Sequence, residues 1–140
     1  MFTFRKKEHI TLLKEIESVF ERGKNRTATA FPVMAVYRTR PLAQGGEEPL
    51  VKVLMSVAKK RLHHAVDRNR AKRQLREAYR LQRHTLTDVM ETSGNGQTGL
   101  LVAFVWLSDK PQPTAAVHAA MGKLLSTVGN NFVAMTETQP

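Results

Sequence analysis

The chain contains no cysteine, which excludes disulfides, thiolate metal sites and thiol nucleophiles. No run of eighteen apolar residues occurs, and no apolar stretch follows Met1. Neither a transmembrane helix nor a signal peptide is therefore expected, and a cytoplasmic location is. Acidic residues are scarce: 12 Asp and Glu stand against 22 Lys and Arg, for a formal charge of +10 and a pI near 10.4. Such an imbalance points first to nucleic acid as partner and second to an anionic membrane surface. Catalytic groupings are missing as well. No paired-carboxylate motif and no Ser/His/Asp arrangement stands out, and His63 and His64 lack a third ligand at metal-site spacing. What is present suits a folded protein: 140 residues, 41% apolar and 24% charged, enough for one domain with a modest core.

Charge is concentrated in one stretch. Between residues 59 and 84 lie ten Lys or Arg against Asp67 and Glu77, a net +8 of the chain's +10. From Arg68 onward the run reads as a helix at about 100° per residue. Arg68, Asn69, Lys72, Arg73, Arg76, Arg80 and Arg83 then share an arc of roughly 140°. Ala71, Leu75, Ala78 and Gln82 form a narrower stripe beside it, with Tyr79 on the border. This stripe is too small and too polar to wedge into lipid, so membrane binding is not expected. Like charges at these spacings repel by a few tenths of a kcal/mol per pair, and an anionic partner is the simplest compensation. Glu77 is expected to pair with Arg73 at i,i+4, and Asp67 to sit at the helix start, where a carboxylate suits the dipole.

The rest of the chain supplies the setting. Residues 8–22 show helical periodicity through Leu12, Leu13, Ile16, Val19 and Phe20, with Gly23 as a left-handed stop. Residues 24–26 read as polar connection, and residues 31–37 (FPVMAVY) as a strand. Residues 41–49 form a loop, and residues 50–57 (LVKVLMSV) a second strand expected to pair with the first as a hairpin. After the basic helix come a turn-rich loop at 92–99 and a strand at 100–106 (LLVAFVW), apolar enough to be covered on both faces. A last helix spans about 114–128, striped by Val117, Met121, Leu124, Leu125 and Val128. One domain over residues 1–140 is expected, with its core at about 4–128 and a flexible tail at 129–140. The fold class is α+β, a two-layer sandwich.

The run VDRNRAKRQLREAYR at residues 66–80 closely resembles the RNR signature of bacterial ribonuclease P protein subunits. SVAKK at 56–60 is similar to that family's Ser-Val-Pro-Lys-Lys/Arg strand end, and VFERGK at 19–24 to its Val-Phe-x-x-Gly-Lys helix end. Tyr37 closes a strand where the family tends to carry an aromatic. The blocks agree in order and spacing over roughly residues 4–128. Three departures stand out: Ala58 replaces the usual proline, Ile16 stands where many members carry a second aromatic, and the first helix is a few residues longer.

The resemblance implies the element order α-β-β-(β)-α-β-α, with the basic helix in a left-handed β-α-β crossover, against the usual hand. It also implies an RNA-binding subunit of a ribonucleoprotein endonuclease that removes the 5′ leader from precursor tRNA, with catalysis carried by the RNA. Arg68, Asn69, Arg70, Lys72, Arg73 and Arg76 would then contact the catalytic RNA. Phe20, Ile16, Tyr37, Lys59 and Lys60 would bind the leader. The partners would be the catalytic RNA and precursor tRNA, with no membrane and no stable protein partner. Mg²⁺ would be held mainly by RNA, with no cofactor intrinsic to the protein and no protein catalytic residue. The rival reading is a stand-alone basic RNA-binding module, such as a ribosomal or regulatory protein. A duplex-DNA reader would want a helix-turn-helix or a dimer seam, and neither is evident.

Overall fold

In the computed structural model, residues 13–21, 23, 25–42, 49–93 and 98–137 are described. The expected helix start at residues 8–12, the middle of the 41–49 loop and residues 94–97 of the later loop lie outside them. The elements are α1 (Leu13–Val19), β1 (Arg26–Ala30), β2 (Val33–Pro41), β3 (Val51–Ser56), α2 (Ala65–Gln82), α3 (His84–Ser93), β4 (Thr98–Trp106) and α4 (Thr114–Glu137). The class is α+β, as the sequence indicated. Gly23 takes a φ of +80°, the left-handed conformation expected of it, which side chains rarely adopt.

The four strands form one sheet in the order β1-β2-β4-β3. β2 pairs antiparallel with β1 and β4, whereas β3 pairs parallel with β4. The expected hairpin between the second and third strands is therefore corrected: β4 lies between them. The reason is legible in β4 itself. Leu100 to Phe104 are buried without a break, alternating between the main core and the α1-side cluster, which suits a strand inside the sheet with a layer on each face. β3 carries half-buried Lys52 on its pleat and suits an edge. A second correction concerns β1: only Arg26 of it falls in the expected polar connection, periodicity names no strand at 27–30, and the strand there supplies the bracketed third one of the family's element order. Its threonines and alanines alternate without a large apolar residue, and it forms the opposite edge. Phe31 and Pro32 belong to the β1–β2 turn rather than to a strand, joined by a cis peptide bond.

Strand alternation sorts the sheet into two faces. Val33, Ala35 and Tyr37 of β2 and Val102, Phe104 and Trp106 of β4 join the main core with Leu75 and Tyr79 of α2, Leu86 of α3 and most of the buried side of α4. The Tyr79 and Phe104 rings meet at 5.8 Å. The opposite face carries a smaller cluster: Val19 of α1 with Val36, Leu101 and Ala103, flanked by half-buried Ile16, Met34, Leu54 and Val105. Sheet and α2–α4 are thus the two principal layers, with α1 on the other side.

The parallel β3–β4 connection runs through two helices. α2 ends at Gln82 with Arg83 as its cap, and α3 follows at once with Leu86 and Met90 buried one turn apart. No glycine or proline marks this break. α4 runs nine residues past Val128, and Phe132 is fully buried. The expected flexible tail is therefore helical to Glu137, because Phe132 continues the stripe of Leu124, Leu125 and Val128. All five stripe residues named from the sequence are buried. α2 and α4 approach closely at Gly122, where an added Cβ would stand 2.7 Å from the Gln82 amide oxygen. That space lets the Gln82 amide donate to the His118 carbonyl at 2.9 Å.

Candidate nucleic-acid interface

Of the α2 stripe read from periodicity, Ala71, Leu75 and Ala78 are buried and Gln82 is half-buried; Tyr79 and Gln74 are buried with them. Gln74 was missed, since at about 100° per residue it falls at the margin of that stripe. Its amide donates to the Gln112 carbonyl at 3.0 Å and to the Thr114 hydroxyl at 3.1 Å, tying α2 to the start of α4. With that side anchored, Asn69, Arg70, Arg73 and Arg76 are exposed and Lys72 is half-buried. The spacing that repels these cations in isolation is held by packing beneath it.

Arg68 is placed differently. Its Nη1 donates to the carbonyls of Leu62 and His63, both at 2.9 Å. Leu62 is buried, so Arg68 and Leu62 together clamp the turn between β3 and α2. One end of this guanidinium is committed to the fold, which sequence reading did not foresee. Asp67 lies in the first turn of α2, as expected, and the N-cap His64 makes no side-chain cap.

Glu77 pairs with Arg80 at i,i+3, not with Arg73. The hydrogen bond from Arg80 holds the Glu77 carboxyl below its ordinary value of 4.5. A depressed carboxylate stabilises above its unfolded pKa and loses that contribution as pH falls through the folded one, so this pair matters only above the acid range. Arg73 is left facing outward without that carboxylate. Arg61, beside Lys59 and Lys60, reaches Asp109 of the β4–α4 loop at 3.1 Å. Among the described residues no three His, Asp or Glu side chains gather as a metal site, and no helix is long and apolar enough to cross a membrane.

On the other face, α1 leaves a shallow apolar surface open. Phe20 is 42% exposed at its edge, and Ile16 is half-buried with Met34, Leu54 and Val105. Arg38 fixes α1 there, donating from Nη1 to the Ser18 carbonyl at 3.0 Å and to Glu21 at 3.1 Å. Tyr37 does not belong to this surface. It is 0% exposed, lies on the opposite face with Ala35 and Val33, and its hydroxyl accepts from the Asn131 amide. Its assignment to leader binding is corrected: strand parity turns it inward, and Met34 is the half-buried β2 side chain on the same face as Ile16. Period-two reading of β2 could have found Met34, because Val36 and Met34 share a parity that Tyr37 does not. Lys59 and Lys60 are exposed on the turn after β3.

These placements predict a specific contrast. Tyr37→Phe should lower stability by about 0.5–1.5 kcal/mol, the worth of one buried hydrogen bond, while leaving RNA binding unchanged. Urea denaturation beside a binding titration checks both. A change in RNA affinity at unaltered stability would return Tyr37 to the interface.

A basic α+β protein with one helix anchored by a small stripe and presenting arginines outward is of the polyanion-binding class. The family model for ribonuclease P matches residues 4–99. The chain belongs to the ribonuclease P protein family. A ribonuclease P protein component from Porphyromonas gingivalis strain ATCC 33277 is 38% identical over 130 residues, covering 93% of this chain and 89% of that one. That of strain W83 is 39% identical over 132 residues, with the same coverage. One from Chlorobaculum tepidum is 37% identical over 92 residues, 65% of this chain and 58% of its own length. In three dimensions the chain is similar to the Staphylococcus aureus RNase P protein, with a TM-score of 0.62 over 86% of this chain and 94% of that one, at 16% identity.

Proposed function

We propose that this protein is the RNA-binding subunit of a ribonuclease P ribonucleoprotein and assists its catalytic RNA in removing the 5′ leader from precursor tRNA in the cytoplasm. The observation that carries this reading is the outward fan of α2 in a chain of this family. Arg70, Lys72, Arg73 and Arg76 neutralise the catalytic RNA, lowering the repulsion between it and the tRNA, and Asn69 adds an uncharged hydrogen-bonding group. Arginine suits the task because its planar fork engages two phosphate oxygens at once. Arg68 contributes through the guanidinium nitrogens not used on the Leu62 and His63 carbonyls.

The α1-side surface takes the leader. Phe20 offers a ring for stacking, Ile16 and Met34 extend the apolar floor, and Lys59 and Lys60 hold leader phosphates at the strand end. These contacts favour precursor over mature tRNA, because only the precursor has a leader to place there. The protein supplies no catalytic group; Mg²⁺ held mainly by RNA phosphates serves the hydrolysis.

The test combines the purified protein, a bacterial ribonuclease P RNA and precursor tRNA at low Mg²⁺. Stimulated leader cleavage is expected, and a protein that fails to stimulate it sinks the reading. Phe20→Ala should narrow the preference for precursor over mature tRNA by roughly 5- to 150-fold, the worth of one stacked base. An equal loss of affinity for precursor and for mature tRNA, leaving the preference unchanged, would argue against a leader contact.

A further inference from the structure

The two most exposed large apolar side chains among the described residues are Val66, 78% exposed, and Phe31, 67% exposed. Both lie at the same end of the sheet. Val33 is in register with Trp106 and Ser56 with Val105, so the β1–β2 turn, the turn after β3 and the β4–α4 loop all emerge together there. α2 begins at that end, with Val66 in its first turn. Exposed cations crowd the same end: Lys59, Lys60 and Lys110, with His63 and His64 beside them. From the sheet order, the β1–β2 turn stands two and a half strand spacings from β3, about 12 Å at roughly 4.8 Å per spacing.

The turn that carries Phe31 is well held. Ala30 and Val33 are register partners, and the Leu107 N–H donates to the Pro32 carbonyl at 2.8 Å. A scattered apolar side chain on a surface needs no explanation. An aromatic ring on a fixed two-residue turn beside a cationic strip is a different matter. It matches the combination by which proteins bind single-stranded RNA, a charged path for phosphates with a ring on which a base stacks.

Resting on the reading of this chain as an RNA-binding subunit, we propose that this end of the sheet is a further RNA contact, in which Phe31 stacks on an unpaired nucleobase. Phe31 belongs neither to the α2 fan nor to the α1-side apolar surface, while Lys59 and Lys60 are shared with the leader path. Lys59 and Lys60 stand on the turn that leads from β3 into α2, so one RNA path can run from the ring toward the start of α2. Unpaired bases are the ligand because a paired base offers no free face. They can come from the catalytic RNA or from the leader.

The chain's single tryptophan, Trp106, is buried, so Phe31→Trp places a solvent-exposed reporter at the site. This variant, Phe31→Ala and Phe31→Leu are titrated with ribonuclease P RNA alone, then as holoenzyme with precursor and with mature tRNA. The expected results are quenching of the introduced indole's emission by RNA and a roughly 5- to 150-fold loss of affinity in Phe31→Ala and Phe31→Leu, with Phe31→Trp retaining it. Loss with the RNA alone assigns the base to the catalytic RNA; loss confined to precursor tRNA assigns it to the leader. Both support the proposal. Unquenched emission with undiminished affinity in Phe31→Ala overturns it, and if the α2 arginine variants still weaken binding, the proposed function stands. A wild-type protein that binds neither RNA overturns both.

Discussion

Replacing Arg70, Arg73 and Arg76 together with alanine will flatten the salt dependence of RNA binding by two to three units of slope. Each phosphate contact releases condensed counterions, worth about 0.7–0.9 in the slope of log affinity against log salt. Three such contacts amount to roughly a 100-fold loss of affinity near physiological salt, by the same counterion argument. These three side chains are exposed on a helix whose docking stripe is untouched. The substitutions also remove like-charge pairs at i,i+3, each costing a few tenths of a kcal/mol. Stability should therefore hold or rise slightly while binding collapses. Filter binding across a salt series, beside thermal unfolding of the free protein, checks both halves. An unchanged slope would mean that the fan is a solvated surface. Arg68→Ala should behave differently, because its guanidinium also holds the Leu62 and His63 carbonyls. Loss of stability should accompany its loss of binding.

Phe132→Ala will cost about 3–5 kcal/mol of folding stability, the range for deleting a buried aromatic ring. The position lies in the segment that sequence reading treated as tail. Its ring is fully enclosed in the main core, and its neighbour Asn131 donates to the Tyr37 hydroxyl across the sheet layer. Truncation after Val128 should cost at least as much, since it removes both. Against a total stability of about 5–15 kcal/mol such a loss is severe, and the high net charge leaves less in reserve. The urea midpoint should fall with the slope of the transition unchanged. Saturating RNA should recover part of the loss, because a ligand that binds only the folded state stabilises it. A midpoint within experimental scatter of wild type would show that the last turns of α4 are dispensable.

The position of Phe132 illustrates where sequence reading stops. Nothing after Val128 breaks the helical stripe, but polar Asn130 and Asn131 and a run to the terminus read as fraying. Only the core surface opposite makes the extra turn favourable. β1 was lost for a related reason. Thr27 to Ala30 carry too little apolar mass to announce a strand, and they become one because β2 offers an unpaired edge. Tyr37 is the sharper case. Its type and approximate place fit an aromatic-lined groove, but strand parity sends it into the opposite layer.

By itself, the sequence determined the α+β class, the family and the basic helix with its docking stripe. Charge clustering, a 3.6-residue period and a fifteen-residue signature are local properties, carried by adjacent residues whatever the rest of the chain does. It also determined that β4 is covered on both faces, because so apolar a strand is stable only when neither face meets water. Tertiary structure alone decided the rest: that β4 separates β2 from β3, that the sheet face bearing Met34, and not the one bearing Tyr37, meets α1, and that Gln74 is an anchor. It alone committed part of Arg68 to the turn before α2 and brought Phe31 to the same end as Lys59 and Lys60. Each of these depends on which side chains meet across long stretches of sequence, and periodicity holds no record of that.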